Sequence, residues 1–357
     1  MNSENMIKID GSLGEGGGAI LRLSVGFSIL YNTPIVIENI RANRPKPGLR
    51  MQHLLGLRLL AEITSSNLSN CEVGSTKISF FPNPTIENRI LTVSISTAAS
   101  IGLLLQPIQI ACLGLKANKE HKVIDLILNG GATFGKWAPS LNYLEHVTFP
   151  LFRKSGLKIN ADTLKQGFYP KGGAKVHCSI KLREKELSPI DLTTLGEVKS
   201  IYGEIIITNQ LKYKKSNIPQ RIKNAIQSEL KGKYDLNLKE KWVDSLSPGV
   251  GLCLWAESDN GAHISSGTLL GERDLSSERL GKMAANNILK YIKNDIPVDN
   301  YLSDQLIPLI AYIKRPSKIK VMEVTNHTKT NIELIKRFTK RQYGIKKTEN
   351  TFFIDFY

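Results

Sequence analysis

Residues 7–30 read IKIDGSLGEGGGAILRLSVGFSIL. The apolar start predicts a short strand over residues 7–10, and the apolar surface of residues 19–30 predicts a helix. A strand, a glycine-rich turn and a helix in this order offer backbone amides to a phosphate, although such a loop is as often a plain tight turn. No Gly-Lys-Ser/Thr follows, so the loop is not a Walker loop, and it does not fit the GxGxxG pattern in a Rossmann context.

Glu15 is unusual inside this glycine loop. A carboxylate among phosphate-facing amides would repel the ligand unless a cation lay between them. Glu15 is therefore a candidate ligand of a divalent metal ion.

Strands and helices alternate along the rest of the chain, which predicts an α/β or α+β fold. Strands are predicted over residues 34–40, 91–96, 124–129, 174–180 and 319–324, and helices over residues 51–63, 275–293 and 332–338. The composition shifts over residues 182–273, where lysine and glutamate become frequent. This region contains a predicted helix (219–230) and two strands (250–257 and 262–269) joined through Asn260-Gly261, which favours a hairpin. We therefore predict a smaller inserted α/β domain over residues 182–273, with residues 1–181 and 274–357 forming a discontinuous main domain.

The overall composition describes a globular protein with a polyanionic partner. The chain has 357 residues, 41% of them hydrophobic, with a net charge of +16 and an isoelectric point near 9.6. Such a charge favours nucleic acid over a merely solvated basic surface. The four cysteines are widely spaced, which favours buried reduced thiols over a zinc site or disulfides.

The most membrane-like run is residues 97–115, which contains Gln106-Pro107 and Gln109 and is better interpreted as a buried helix or helix pair. The N-terminus lacks the pattern of a signal peptide. These features predict a soluble cytoplasmic protein that does not bind membranes, and they leave the oligomeric state open.

Residues 41–50 form a basic loop with two prolines and a glycine. Because the prolines stiffen the chain, Arg41 and Arg44 would be held in place for two-pronged binding of phosphate oxygens. The alternative is an ordinary solvated charge run. The next predicted helix carries Gln52 near its start.

His327 lies in a polar run between the strand over residues 319–324 and the helix over residues 332–338, where Thr330 or Asn331 would cap the helix. The N-terminus of a helix favours an anion such as a phosphate. A histidine there is a candidate functional residue, although most histidines are structural or merely exposed.

Five motifs in order along the chain closely resemble those of the RNA 3'-terminal phosphate cyclase family. They are DG-x-x-GEGGG (10–18), IRA-x-R-x-KPGL-x-x-QH (40–53), GFYP-x-GG (167–173), YL-x-DQ (301–305) and H-x-x-TN (327–331). The resemblance implies a large domain of three repeated βαβαββ-type units plus one inserted α/β domain. It also implies an ATP-dependent reaction in which a histidine takes AMP and passes it to an RNA 3'-phosphate. The neighbouring 2'-hydroxyl then closes a 2',3'-cyclic phosphate and releases AMP.

The resemblance also implies roles for individual residues. It makes His327 the nucleophile, which suits a histidine near neutral pH, and Glu15 the residue that meets magnesium or manganese. The expected adenylate pocket comprises Gln106, Pro139, Tyr301, Leu302, Ser303, Asp304 and Gln305. The expected phosphate and RNA-end contacts are Arg22, Arg41, Arg44 and Gln52. The chain departs from the family pattern at Ala19, where glutamine is usual, and at Gly173-Ala174, which shortens a glycine triplet.

Two other interpretations compete with this one. A non-catalytic relative could keep the fold as an RNA-binding scaffold in ribosome assembly, but the intact His327 motif argues against it. An enolpyruvyl transferase could share only the repeat architecture, and the charge of +16 disfavours that.

Overall fold

The protein has a mixed α/β fold in the computed structural model, which describes residues 6–14, 16–87, 89–117, 122–212 and 217–357. The helices are α1 (Gly18–Leu30), α2 (Met51–Thr64), α3 (Ile101–Cys112), α4 (Leu141–Tyr143), α5 (Phe149–Ser155), α6 (Ile218–Leu230), α7 (Ser277–Lys293), α8 (Asn300–Tyr312) and α9 (Asn326–Phe338). The strands are β1 (Ile7–Asp10), β2 (Ile35–Glu38), β3 (Asn67–Ser69), β4 (Ile78–Phe81), β5 (Ile90–Ser100), β6 (Val123–Ala132), β7 (Lys158–Lys165), β8 (Lys175–Lys181), β9 (Asp191–Leu192), β10 (Ser200–Thr208), β11 (Asp235–Val243), β12 (Val250–Glu257), β13 (His263–Ser265), β14 (Leu269–Leu270), β15 (Ser317–Val321), β16 (Tyr343–Thr348) and β17 (Thr351–Phe356). The predicted α/β class is confirmed. Over the described ranges, no helix combines the length and the apolar character needed to cross a bilayer.

Three four-stranded sheets share one pairing order. In the first, β1 pairs parallel with β2, β2 pairs antiparallel with β4, and β4 pairs antiparallel with β3. The second sheet has the same pattern in β5, β6, β8 and β7. The third has it in β9, β15, β17 and β16. Three βαβαββ units would give this order, but that the units are repeats of one another stays a prediction.

The helix layer over these sheets positions the site. α1 packs against α2, α3 and α9, and α8 packs against α9. Residues 20–30 of α1 are all buried because this helix lies in the middle of the layer. Helices α1, α8 and α9 run in the same direction: their N-terminal turns line one cavity and the residues at their C-terminal ends line another.

A fourth sheet has the order β11-β10-β12-β13, with β14 also paired to β12. Helices α6 and α7 pack against each other, and α7 also packs on β12, β13 and β14. Two features cross the predicted boundary: β9 lies within residues 182–273 but pairs with β15, and α7 lies beyond them but covers the fourth sheet. The division into two domains stays a prediction.

Most predicted elements agree with the structure to within a few residues, and two do not. The strand predicted over residues 262–269 is two short strands, β13 and β14, because residues 266–268 leave the sheet. The helix predicted over residues 332–338 begins six residues earlier, at Asn326. Its cap is Thr325, whose Oγ1 accepts a hydrogen bond from Thr328 N, and not Thr330 or Asn331. His327 therefore lies in the first turn of α9 and not before the helix.

Candidate active site

A cavity of about 450 Å³ lies where the N-terminal turns of α1, α8 and α9 meet α3 and the loop before α4. A volume of this size lies in the range of small-ligand sites. Seven of the residues predicted from the sequence line it: Arg22, Gln106, Pro139, Tyr301, Asp304, Gln305 and His327. Positions more than 300 residues apart in the chain thus meet in one cavity.

His327 is placed by the start of α9. The first turn of a helix carries amides without intrahelical partners and the positive end of the helix dipole. Because Thr325 caps this helix, His327 is held in that first turn, where its side chain is exposed to solvent at the cavity. A phosphate that contacts His327 would therefore lie close to the end of α9 that favours anions.

Asp304 ties α8 to α9. Its Oδ1 accepts hydrogen bonds from Thr325 Oγ1 (2.6 Å) and from Thr328 Oγ1 (2.8 Å). The Asn331 side chain adds a third link, since its Nδ2 donates to the Asp304 carbonyl at 2.8 Å. These bonds fix the first turn of α9, and with it His327, against the helix that carries Tyr301.

Tyr301 is held in place by buried residues at the start of α8. Asp299 caps α8, and its carboxylate accepts hydrogen bonds from the backbone N–H groups of Tyr301, Leu302 and Ser265 and from the Tyr143 hydroxyl. Burial raises the pKa of Asp299 to about 7, and the four hydrogen bonds act in the opposite sense. The Tyr301 ring packs edge-on against Tyr143, with 6.2 Å between ring centroids, and remains 54% exposed. A half-exposed aromatic face on a rigid support suits a nucleotide base.

Arg22 is the buried cation of the cavity. Its Nε donates to Gln106 Oε1 at 2.9 Å, and burial lowers its pKa to about 10. Among the described residues, no carboxylate lies within ion-pair distance of Arg22. A buried guanidinium without a counter-ion is costly, so an anion in the cavity would be stabilised there.

The glycine-rich loop packs closely against three side chains. Gly14 has a φ of +62° and faces Thr330 on α9, where a Cβ would collide with the hydroxyl group. A Cβ at Gly17 would lie 3.2 Å from Arg44 Nη2, and one at Gly18 would collide with the His53 ring. The glycine-rich loop therefore contacts both α9, through Thr330, and the basic loop of residues 41–50, through Arg44.

His53 is an uncharged residue that lies among the arginines of this region. Its Nδ1 accepts a hydrogen bond from Arg50 N at 3.1 Å. Burial, together with the smaller effect of the charges of Arg22, Arg41 and Arg50, lowers the pKa of His53 to about 3. The ring thus stays unprotonated beside the arginines at physiological pH.

This lowered pKa makes stability fall in acid. Below a pH of about 6.5 the unfolded chain binds a proton that the folded His53 rejects, so the free energy of unfolding decreases by about 1.4 kcal/mol per pH unit between about 6.5 and 3. We expect His53→Asn, whose Oδ1 replaces Nδ1 as the acceptor for Arg50 N, to remove this contribution. Urea unfolding at pH 7.5 and pH 5 measures it. Equal pH slopes in the two proteins would contradict the assignment.

Five other predicted site residues do not line the cavity. Leu302 and Ser303 are fully buried, and Ser303 Oγ lies 3.1 Å from Thr328 Oγ1, so both support the helices. Arg41 donates to the carbonyls of Lys46 and Gly48 (2.8 and 3.0 Å) and so braces its own loop. Arg44 and Gln52 lie nearby, Arg44 beside Gly17 and Gln52 in the first turn of α2.

The predicted metal ligand, Glu15, lies outside the described residues. Within the described ranges, no three His, Cys, Asp or Glu side chains come together as a metal cage. The metal site predicted at Glu15 stays a prediction, and no step of the chemistry is assigned to it.

Sequence reasoning missed several residues of the cavity wall: Trp137, Tyr143, Thr268 and Asn331. Asn331 was within the H-x-x-TN motif and could have been included. Trp137 is 91% exposed and has a φ of +58°, and an aromatic residue in the glycine-rich loop 130–139 was the signal available for it. Nothing in the local sequence marked Tyr143 or Thr268.

Comparison with known proteins is consistent with this geometry. A family model described as RNA 3'-terminal phosphate cyclase matches residues 13–345. The chain is 35% identical over 344 residues to a protein of that name from Thermococcus onnurineus strain NA1, covering 96% of each chain. It is 36% identical over 341 residues to one from Pyrococcus abyssi, covering 95% of each. It is also 36% identical over 351 residues to one from Methanosarcina barkeri strain Fusaro, covering 97% of this chain and 98% of the relative.

Proposed function

Because the chain belongs to the RNA 3'-terminal phosphate cyclase family, as its five motifs predicted, we propose that it converts an RNA 3'-terminal phosphate into a 2',3'-cyclic phosphate at the expense of ATP. The observation that carries this proposal is the cavity that brings His327 together with Arg22, Gln106, Tyr301 and Asp304. A binding scaffold has no need of a nucleophile at the start of a helix inside such a cavity.

The proposed chemistry has three displacements at phosphorus. A ring nitrogen of His327 attacks the α-phosphate of ATP, forming a histidine–AMP bond as pyrophosphate leaves. An oxygen of the RNA 3'-phosphate then attacks the AMP phosphorus, which releases His327 and leaves a diphosphate at the RNA end. Finally the 2'-hydroxyl attacks the terminal phosphate of the RNA chain, loses its proton, and expels AMP as the ring closes.

Each step transfers a phosphoryl group whose oxygens carry negative charge, so fixed positive groups should supply most of the stabilisation. Arg22 and the first turn of α9 are the groups suited to this task. Tyr301 and Pro139 on the cavity wall offer apolar faces for the adenine base. Asp304 serves by holding α9 in place through Thr325 and Thr328.

An oligoribonucleotide with a 3'-phosphate provides the direct test. In the presence of ATP, magnesium and manganese, its terminal phosphate should become resistant to phosphatase, and AMP and pyrophosphate should be released in equal amounts. The same oligonucleotide with a 3'-hydroxyl is the control and should release neither. Binding of RNA without any change at its end would favour the non-catalytic scaffold.

Arg44 is expected to bind the RNA end and not ATP, because it lies beside Gly17 and outside the cavity wall. Arg44→Ala should raise the KM for RNA about tenfold, the cost of one hydrogen bond to a charged group. Covalent labelling by ATP without RNA should keep its rate. Arg58→Ala, an exposed change at a guanidinium that donates to Cys71 O outside the cavity, is the matched control. Slower labelling in Arg44→Ala would assign Arg44 to the nucleotide instead.

A further inference from the structure

A second cavity, of about 380 Å³, lies at the opposite end of the helix layer. It is lined by Tyr31, which follows α1, by Tyr312 at the end of α8, and by Thr339, which follows α9. The same three helices line the candidate active site with their N-terminal turns. A helix of 13 residues is about 20 Å long at 1.5 Å per residue, which sets the distance between the two cavities.

The walls of this second cavity are strongly basic. The cations that line it are Lys116, Arg183, Lys314, Arg315 and Arg341. Glu186 is the one carboxylate among the lining residues, and it pairs with Lys314 at 2.7 Å. The side chains of Lys116 and Arg315 make no hydrogen bond or ion pair within the described part of the chain. The lining residues therefore carry an excess of about four positive charges.

Two buried donors in this cavity lack partners among the described residues. They are the Tyr31 hydroxyl and Arg341 Nε. The other Arg341 nitrogens donate to the carbonyls of Lys314 and Arg315, which fixes the guanidinium. The Tyr31 ring packs against Phe27, Phe338 and Tyr312, and burial raises the pKa of its hydroxyl, so this group stays a donor. An oxyanion is the kind of ligand that accepts hydrogen bonds from such donors.

The exposed face of α9 connects the two cavities with further positive charge. After His327 it presents Lys329, Glu333, Lys336 and Arg337, and Lys340 follows the helix. Glu333 pairs with Lys336 at 3.0 Å, whereas Lys329, Arg337 and Lys340 form no ion pair with another described residue. A face of a helix with like charges at this spacing attracts a chain of phosphates more than it attracts a single small anion.

We infer that the cavity formed by Tyr31, Arg183 and Arg341 binds a backbone phosphate of the RNA strand whose 3' end lies at His327. This inference rests on the proposed function for the position of the 3' end. The strand would run along the exposed face of α9, and about 20 Å corresponds to about six nucleotides at a rise of 3.4 Å, or fewer in an extended strand.

A series of 3'-phosphorylated oligoribonucleotides of increasing length tests this. For the wild type, the KM should fall from the dinucleotide to about the hexanucleotide and then level off. The double variant Lys116→Ala/Arg315→Ala should raise the KM of a dodecamer about tenfold while the dinucleotide is unaffected. Its salt dependence should also be shallower, by about 0.7 in slope for each phosphate that the variant no longer neutralises.

The matched control is Lys290→Ala/Lys293→Ala, which removes two exposed cations from the last turn of α7 and should leave both substrates unchanged. Tyr31→Phe removes a hydroxyl without a partner among the described residues. It should therefore keep or raise the melting temperature while weakening binding of the dodecamer. Identical length profiles in the cavity variant and the control would overturn the inference, as would a wild-type KM that does not depend on length.

A binding assay with inorganic phosphate distinguishes a free phosphate ion from an RNA phosphate as the ligand of the second cavity. If phosphate alone binds in a Tyr31-dependent manner and the length effect is absent, the cavity takes a free anion and the assignment to RNA is wrong. Labelling by ATP without RNA tests the proposed function separately. If the wild type is not labelled, that function fails, whereas binding of the oligonucleotides by fluorescence anisotropy still decides the role of the second cavity.

Discussion

His327→Ala will remain unlabelled by ATP that carries a radioactive α-phosphate, whereas the wild type will carry covalently bound AMP. Alanine has no nucleophilic atom, and losing a covalent nucleophile costs on the order of 10⁴ or more in rate. Because the His327 side chain is exposed at the cavity, the variant should unfold at the temperature of the wild type. Its failure to react would therefore report on chemistry and not on folding.

The bond itself gives a second measurement. A phosphoramidate is cleaved by acid and survives alkali, so label on the wild type should be lost at low pH and retained at high pH. Glu333→Ala, an exposed change on the same helix and outside the cavity wall, is the matched control and should label normally. Retention of label in His327→Ala would show that another residue is the nucleophile.

Replacing Arg22 should lower the rate of labelling, whereas removing Arg22 and Gln106 together should keep or raise the free energy of unfolding. Arg22→Lys keeps a positive charge but loses the fork of donors and the bond from Nε to Gln106, so labelling should slow by about 10² to 10³, the usual cost of one transition-state donor. The double variant Arg22→Met/Gln106→Leu should be inactive. It should nevertheless be as stable as the wild type or more stable by about 1–4 kcal/mol, because a buried charge and its partner are removed together.

Chemical unfolding of the three proteins, alongside the labelling assay, measures both effects. Arg58→Lys serves as the control, since Arg58 is an exposed arginine outside the cavity, and should change neither quantity much. A double variant that is much less stable than the wild type would mean that Arg22 is a structural residue. The interpretation that the buried charge of Arg22 serves to bind an anion would then be wrong.

The sequence was sufficient for elements with strong local signals and insufficient where distant contacts decide. The helix at residues 18–30 was predicted to within one residue because a glycine run precedes a continuous apolar surface. The start of α9 was misplaced because threonine and asparagine at 325, 326, 330 and 331 are all good caps. The choice among them depends on Asp304, which binds Thr325 and Thr328 from another helix.

The nucleotide segment shows the same limit. All of residues 301–305 were predicted to contact the nucleotide, but only Tyr301, Asp304 and Gln305 line the cavity. These three positions have the spacing i, i+3 and i+4, which places them on one face of a helix. Leu302 and Ser303 point elsewhere and are buried. The sequence motif is continuous, whereas the helix divides its residues between the cavity and the core.

The site joins a loop near residue 14 to a helix that begins at residue 326, and β17, made of residues 351–356, lies inside its sheet between β16 and β15. During synthesis on the ribosome, the candidate active-site cavity therefore cannot be completed until nearly the whole chain has emerged. A nascent or truncated chain that ends before α9 would hold the glycine loop and the arginines but would lack His327, the proposed nucleophile. In the proposed mechanism, the order of residues along the polypeptide thus prevents an incomplete chain from reacting with ATP.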